Sequence, residues 1–179
     1  TGDDIPGKRY QGIIEKDWPM MVVPGENTRY IGDVLACVVA ESEEIARLAV
    51  NEIRVEYNVL EPLTDMTQAA DSEVLIHASG NLLKETVICR GAPVEEVFTR
   101  SAHVVEGVFE TPFVEHAFLE TEASIAQPDG RGGLIVYSQS QGIYADREQI
   151  ASMLNLPLDK VDVIQVSTGG GFGGKEDLT

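Results

Sequence analysis

The stretch VDVIQVSTGGGFGGKE, residues 161–176, joins an alternating, strand-like run to a segment in which five of the last eight residues are glycine. Each glycine costs roughly 0.5–1 kcal/mol of folding free energy relative to alanine, so glycines persist where backbone approaches another group closely or takes a positive φ. We therefore predict that residues 169–175, called the glycine loop below, lie in close contact with another group or take positive φ values. A strand leads directly into this loop.

Two nucleotide-binding templates fit the glycine loop, and neither is complete. Gly169, Gly174 and Lys175 match G-x-x-x-x-G-K, but Glu176 stands where a Ser or Thr should bind Mg²⁺. Gly169, Gly171 and Gly174 match G-x-G-x-x-G, but the sequence ends before the acidic residue that this template places about twenty positions later. A nucleotide-binding module that uses residues 169–175 stays open as one alternative.

Composition excludes several classes of partner. The 179 residues are 43% hydrophobic and 24% charged, as in a globular protein, and the net charge of −17 disfavours nucleic acid and anionic membranes. No apolar run is long enough to span a bilayer, and the N-terminus TGDDIPG has no signal-peptide pattern. We expect a cytoplasmic location, and we expect the chain to be part of a longer protein.

Cys37 and Cys89 are the two cysteines, and both lie in apolar contexts that predict small buried residues. No C-x-x-C pair is present to bind an iron–sulfur cluster or zinc. Any redox centre is then held by other groups or by another polypeptide.

The pattern of apolar residues predicts a small α/β domain over residues 1–65, with strands at 19–23, 33–40 and 53–57 and a helix that begins after Ser42. Residues 66–91 are predicted to be a linker with one short helix. A second domain over residues 92–179 is predicted from the following elements: a helix at 92–102, a strand at 103–113, a hairpin around QPDGRGG, a helix at 143–155 and a strand at 161–166.

Three blocks in this order and at this spacing resemble the large molybdenum subunit of the xanthine dehydrogenase and aldehyde oxidase family. They are VEHAFLETEASIA, SQSQGIYADREQIASMLNLP and TGGGFGGKE, with Gln141 35 residues before Glu176. Upstream stretches also resemble that family. The resemblance implies an α+β fold: a small α/β hammerhead-like domain followed by the first part of a mixed α/β molybdopterin-binding domain.

The resemblance also implies a function for the whole protein: hydroxylation of a purine or other N-heterocycle with oxygen derived from water. The implied cofactor is a molybdenum–pterin, with its dinucleotide form left open, and the implied partners are iron–sulfur and FAD domains or subunits. The positions expected to border the cofactor are Gln141, Gly170, Gly171, Phe172 and Gly173. Of these, Gln141 and Phe172 are expected to lie near the metal without binding it directly. Glu176 stands where purine hydroxylases have a substrate-orienting glutamate, which favours an N-heterocycle over an aldehyde.

The resemblance places the general-base glutamate outside this sequence, so no catalytic residue is assigned and the chain alone is expected to be inactive. Local sequence alone would make Gln141 a polar helix-start residue, and for Glu176 a solvated loop residue is the alternative to a substrate contact. His116, beside Glu115 and Glu120, is expected to take part in buried hydrogen-bond structure rather than to bind a metal. A non-catalytic scaffold that docks partner subunits is the second alternative.

Overall fold

A computed structural model describes residues 1–178 and separates into two compact units. One unit contains residues 1–54 and 114–178, and the other contains residues 55–113. The sequence predicts different boundaries, at 1–65, 66–91 and 92–179. The division into compact units does not test those domain boundaries, which stay a prediction. Helices and strands are both present, which confirms the α+β class. The helices and strands are β1 (Tyr10–Gln11), β2 (Trp18–Pro19), α1 (Glu43–Asn51), α2 (Met66–Ala69), α3 (Val94–Arg100), β3 (Ser124–Pro128), β4 (Leu134–Ser138), α4 (Ile143–Leu154) and β5 (Val161–Gln165).

The larger unit is built on a three-stranded sheet in the order β3-β4-β5. β3 and β4 form the predicted antiparallel hairpin, and β5 pairs with β4 in parallel. Parallel neighbours need a crossover connection, which α4 provides. The core lies between this helix and the sheet, where the following side chains are buried: Val136, Ile150, Ala151 and Val161.

Local sequence explains the turn before β4 and the end of α4. In the hairpin, the Asp129 carboxylate accepts hydrogen bonds from the N–H groups of Arg131 and Gly133, both at 2.7 Å. These two bonds hold the pKa of Asp129 below its usual value. At the other end of the crossover, α4 stops at Asn155, whose left-handed conformation (φ 52°, ψ 40°) is a common helix termination. The predicted hairpin and the predicted helix are both confirmed.

The N-terminal segment of the same unit binds the last turn of α4. The N–H groups of Gly7 and Lys8 donate to the carbonyls of Met153 (2.8 Å) and Ser152 (2.9 Å), which lie in the last turn, where helix carbonyls need partners from outside the helix. A Cβ at Gly7 would collide with the Ser152 carbonyl, so glycine is required at this position. The segment therefore belongs with the sheet and α4.

The helix after Ser42 is confirmed, because the Ser42 hydroxyl accepts a hydrogen bond from the Ile45 N–H at the start of α1. The strands predicted at 19–23, 33–40, 53–57 and 103–113 are wrong in all but Pro19. Beyond Pro19, which pairs with Tyr10, these runs find no partner strand among the described residues, and the bond from the Val22 N–H to the Val34 carbonyl is a single bond rather than a ladder. An apolar run becomes a strand only where a partner strand satisfies its backbone.

Cys37 and Cys89 are exposed, so the prediction that they are buried is wrong. The prediction rested on their apolar neighbours, and the segments that contain them do not form core strands in the described part of the chain.

The smaller unit contains α2 and α3, both at predicted positions. Asp65 caps α2 by accepting from the Thr67 N–H at 2.8 Å, and α3 begins after Pro93. Asn81 closes the segment after α2, since its side chain bonds the backbone of Ala69, Val74 and Ile76. No helix over residues 1–178 is both long and apolar enough to cross a membrane.

The Arg9–Glu26 ion pair gives a test of this fold. The guanidinium donates to both carboxylate oxygens (2.6 and 2.7 Å), and these bonds lower the pKa of Glu26 from 4.5 to about 2. Because its folded pKa is below the unfolded value, Glu26 stabilises the fold fully above about pH 4.5 and loses this effect as the pH falls towards 2. We expect Glu26→Gln to lower the free energy of unfolding by about 1 kcal/mol near neutral pH, a small loss because the pair is partly exposed.

Urea unfolding at neutral pH and at about pH 3 measures this difference. Glu41→Gln, which changes an exposed glutamate of the same unit, is the control. A Glu26→Gln effect that is equal at both pH values would show that the ion pair does not contribute as described.

Candidate functional site

The glycine loop and Gln141 meet at one edge of the sheet. β4 and β5 are parallel with Ser138 opposite Gln165, so the segments that follow the two strands leave the sheet side by side. The Val166 N–H donates to the Ser138 carbonyl at 2.9 Å, and the Thr168 hydroxyl donates to the Gln139 carbonyl at 3.0 Å. This pairing brings Gln141 beside a loop that lies about thirty positions later in the sequence.

The Gln141 side chain is bound to the loop in a defined orientation. Its Oε1 accepts hydrogen bonds from the N–H groups of Gly173 (3.0 Å) and Lys175 (3.3 Å), and its own backbone N–H donates to the Lys175 carbonyl at 2.8 Å. Two N–H donors on one side of the carboxamide require its oxygen there. The Nε2 amino group has no partner among residues 1–178 and is left to donate to another group.

Three of the loop glycines are required by side chains of the chain itself. A Cβ on Gly171 would collide with Gln141 Oε1 and lie 2.7 Å from its Cδ. A Cβ on Gly169 would lie 2.5 Å from Glu120 Cβ, and one on Gly174 would lie 2.9 Å from the rings of His116 and Phe118. Gly170 and Gly173 differ, because their positive φ values (96° and 91°) are what favours glycine there.

Phe172 is the one loop residue with a large apolar side chain, and it is both strained and exposed. Its φ of 54° lies in the left-handed region, which costs a residue with a Cβ about 1–3 kcal/mol, and 77% of its surface is accessible. Strain of this kind persists where the surrounding structure fixes the backbone, and it is concentrated at ligand-binding sites.

The loop presents unused hydrogen-bond donors. The N–H groups of Gly170, Gly171 and Phe172 donate to no other residue in the described part of the chain, and Gly171 is buried. Consecutive free N–H groups in a turn form a concave site that attracts anions. Together with the Gln141 amino group, they make a site that can donate to anionic atoms without a cationic side chain.

Lys175 is not available as a phosphate ligand. Its side chain is only 2% exposed, and its Nζ donates to the Glu120 carbonyl at 2.8 Å and lies 3.3 Å from Glu120 Oε2. The same Nζ is 4.6 Å from the centre of the Phe118 ring. A nucleotide phosphate loop needs a lysine that reaches the ligand, so this arrangement counts against the nucleotide-binding alternative.

Glu176 and His116, the other residues considered in the sequence analysis, are both exposed to solvent. Glu176 is exposed, and its carboxylate makes no hydrogen bond with any described residue. His116 is 46% exposed and 3.6 Å from Glu115, so the expectation of buried hydrogen-bond structure is wrong for this residue. Within residues 1–178 no group of three or more His, Cys, Asp or Glu side chains is arranged to hold a metal ion.

Sequence reasoning missed the roles of Glu120 and Ser140. Glu120 Oε2 accepts from the Gly169 N–H at 2.7 Å, and this bond, followed by Lys175, lowers the pKa of Glu120. The Ser140 hydroxyl accepts from the Gly142 N–H and donates to the Lys175 carbonyl. The only sequence signal for either residue was its place in the blocks that carry the family resemblance.

Gly171→Ala tests the contact between the loop and Gln141. The added methyl should displace the carboxamide and break its two bonds, which lowers the free energy of unfolding by about 1–2 kcal/mol. Gln141→Ala should then add almost nothing in the Gly171→Ala background, because the interaction is already lost. Urea unfolding of the two single variants and the double variant measures this coupling.

Gly107→Ala is the control, since its new methyl would meet only the exposed Phe109 ring. Additive losses would disprove the contact.

Comparisons with known proteins identify the family of the chain. The molybdopterin cofactor-binding domain matches residues 76–179, and the a/b hammerhead domain of aldehyde oxidase and xanthine dehydrogenase matches residues 1–61. A probable xanthine dehydrogenase subunit from Bacillus subtilis is 37% identical over 99% of this chain and 24% of its own length. The nicotinate dehydrogenase large molybdopterin subunit of Eubacterium barkeri is also 37% identical, over 98% of this chain and 41% of its own length.

Among solved structures, the crystal structure of quinoline 2-oxidoreductase from Pseudomonas putida 86 superposes with a TM-score of 0.71 at 29% identity, over 96% of this chain and 21% of that one. The chain therefore spans less than half the length of each of these three proteins. The family predicted from the sequence is confirmed: the chain belongs to the aldehyde oxidase and xanthine dehydrogenase family of molybdopterin-binding proteins.

Proposed function

We propose that this chain forms part of the cofactor site of a molybdenum hydroxylase, and that Gln141 and residues 170–173 border the cofactor. The observation that supports this most directly is the donor set. Three consecutive free N–H groups lie in a loop that also binds the Gln141 carboxamide and leaves its amino group unpaired by any described residue. No cationic side chain is needed to attract an anion there.

The residues fit a molybdenum–pterin group on chemical grounds. Oxo and dithiolene atoms are anionic acceptors, and backbone and amide N–H groups can donate to them without adding a charge of their own. When bound, the cofactor supplies the oxidising centre, while this chain contributes hydrogen bonds and the exposed Phe172 ring.

The substrate class follows from Glu176 and from the relatives. A carboxyl group can accept a hydrogen bond from a ring N–H or share a proton with a ring nitrogen. Glu176 is exposed one residue beyond the loop, and no described residue bonds its carboxylate. Xanthine, nicotinate and quinoline, in the names of matched proteins, are all nitrogen heterocycles. We infer that the intact enzyme oxidises a purine or another N-heterocycle.

Partners and location complete the proposal. Several matched proteins are named as subunits, which supports assembly with other chains. We propose that these carry the iron–sulfur clusters and FAD, that the pterin takes either its simple or its dinucleotide form, and that the enzyme is cytoplasmic. The domain boundaries at 1–65, 66–91 and 92–179 are part of the same proposal.

Elemental analysis of the intact, active protein tests the central claim. About one molybdenum per copy of this chain is expected. Protein that is folded and active without molybdenum would refute the proposed function.

Gln141→Ala tests the role of the amide. In the intact enzyme, kcat should fall by at least about tenfold, because a donor acting on developing charge is lost, and the melting temperature should fall only as far as it does in Gly171→Ala, which breaks the same two hydrogen bonds. Gln127→Ala, an exposed change on β3, is the matched control. A loss of kcat no larger than that of Gln127→Ala would make Gln141 a structural residue.

Glu176→Val tests the substrate argument. The ratio of kcat/KM for an N-heterocycle to that for an aromatic aldehyde should fall by about tenfold or more, because one polar contact to the ring is lost. Glu122→Val, at an exposed glutamate outside the loop, should leave the ratio unchanged. An unchanged ratio in Glu176→Val would remove the case for a heterocycle.

A further inference from the structure

The buried side chain of Lys175 joins segments that are far apart in sequence. Lysine is rarely buried unless it is paired, yet Lys175 is 2% exposed. Its ammonium binds both the backbone carbonyl and the carboxylate of Glu120 and lies over the Phe118 ring. Packing alone would be served by an uncharged side chain, so what the ammonium adds is its bonds to Glu120.

Glu120 binds both ends of the glycine loop. At the beginning, its Oε2 accepts from the Gly169 N–H at 2.7 Å, and its backbone N–H donates to the Gly169 carbonyl at 3.4 Å. At the end, the same Oε2 lies 3.3 Å from Lys175 Nζ. One carboxylate oxygen therefore fixes the distance between the two ends of a seven-residue loop.

The backbone of Lys175 in turn fixes Gln141. Its N–H donates to Gln141 Oε1, and its carbonyl accepts from the Gln141 N–H at 2.8 Å and from the Ser140 hydroxyl at 3.1 Å. Glu176 is the next residue in the chain. A shift of Lys175 would therefore move the carboxamide proposed to face the cofactor and the carboxylate proposed to face the substrate.

We propose that Lys175 and Glu120 form a positioning clip, which holds the glycine loop closed and sets the placement of Gln141 and Glu176. Neither residue touches the substrate or cofactor in this proposal. What the clip does for catalysis rests on the proposed function, whereas its effect on the loop does not.

We expect that the clip can be removed without destroying the fold. Glu120 is 41% exposed, so water can solvate its carboxylate when the ammonium is missing. Methionine retains the length of the lysine stem and can still contact Phe118, but it cannot donate a hydrogen bond. Lys175→Met therefore separates loop positioning from core packing. Glu120→Gln retains an oxygen for the Gly169 N–H and removes only the charge, so it should give a smaller effect in the same direction.

Hydrogen–deuterium exchange of the intact protein, followed by mass spectrometry, measures the loop directly. In Lys175→Met, exchange in peptides covering residues 166–178 should accelerate by about tenfold, while peptides covering β3 and β4 stay at the wild-type rate. Glu120→Gln should lie between wild type and Lys175→Met. Lys160→Met is the matched control, because Lys160 donates to the Arg131 carbonyl outside the loop, and it should leave residues 166–178 unchanged.

Steady-state kinetics gives the second readout. Displacement of Gln141 and Glu176 should lower kcat/KM of Lys175→Met by about tenfold or more, with molybdenum content at the wild-type level. Loop exchange in Lys175→Met within about twofold of wild type would overturn the clip, and so would equal acceleration in the sheet. A wild-type enzyme without molybdenum would refute the proposed function, but the exchange result would still decide the clip.

Discussion

The parallel pairing of β4 with β5 is the constraint on which the site depends. Because Ser138 lies opposite Gln165, the chain leaves both strands at the same edge, and residues 139–141 run beside residues 166–175. α4 makes this register possible by covering one face of the sheet and returning the chain to its starting edge. A shift of one residue in β5 would turn Val161 and Val163 away from the helix, so the buried core fixes the register and thereby the site.

The glycine loop is shaped first by the protein's own side chains. Gly171 makes room for Gln141, Gly169 for Glu120, and Gly174 for His116 and Phe118. At Gly170 and Gly173 the reason for glycine is instead the backbone conformation, because both residues have a positive φ. Internal packing thus immobilises the loop, which lets three N–H groups stay free of partners among the described residues at defined positions.

Charge around the proposed anion site is distributed in an unusual way. The chain carries a net charge of −17, and the one cation in the loop is already paired with Glu120. Attraction for an anionic group therefore depends on backbone dipoles and a neutral amide, which act only at short range. Such a site favours a ligand that is held in contact with the loop over one drawn in by long-range charge. This distinguishes it from a phosphate loop, in which lysine is a direct ligand.

The sequence by itself determined the elements whose signals are local. Ser42 marks a helix start, QPDGRGG marks a hairpin turn, and the alternation of residues 161–165 marks a strand, because caps, turns and periodicity depend on neighbouring residues. The motif blocks likewise determined the family and pointed to Gln141 and the loop. Only the tertiary structure decided which apolar runs became strands and that Cys37 is exposed, since both depend on a distant pairing partner. It also decided that Lys175 binds Glu120, because a contact across 55 residues is set by how the sheet folds and not by local spacing.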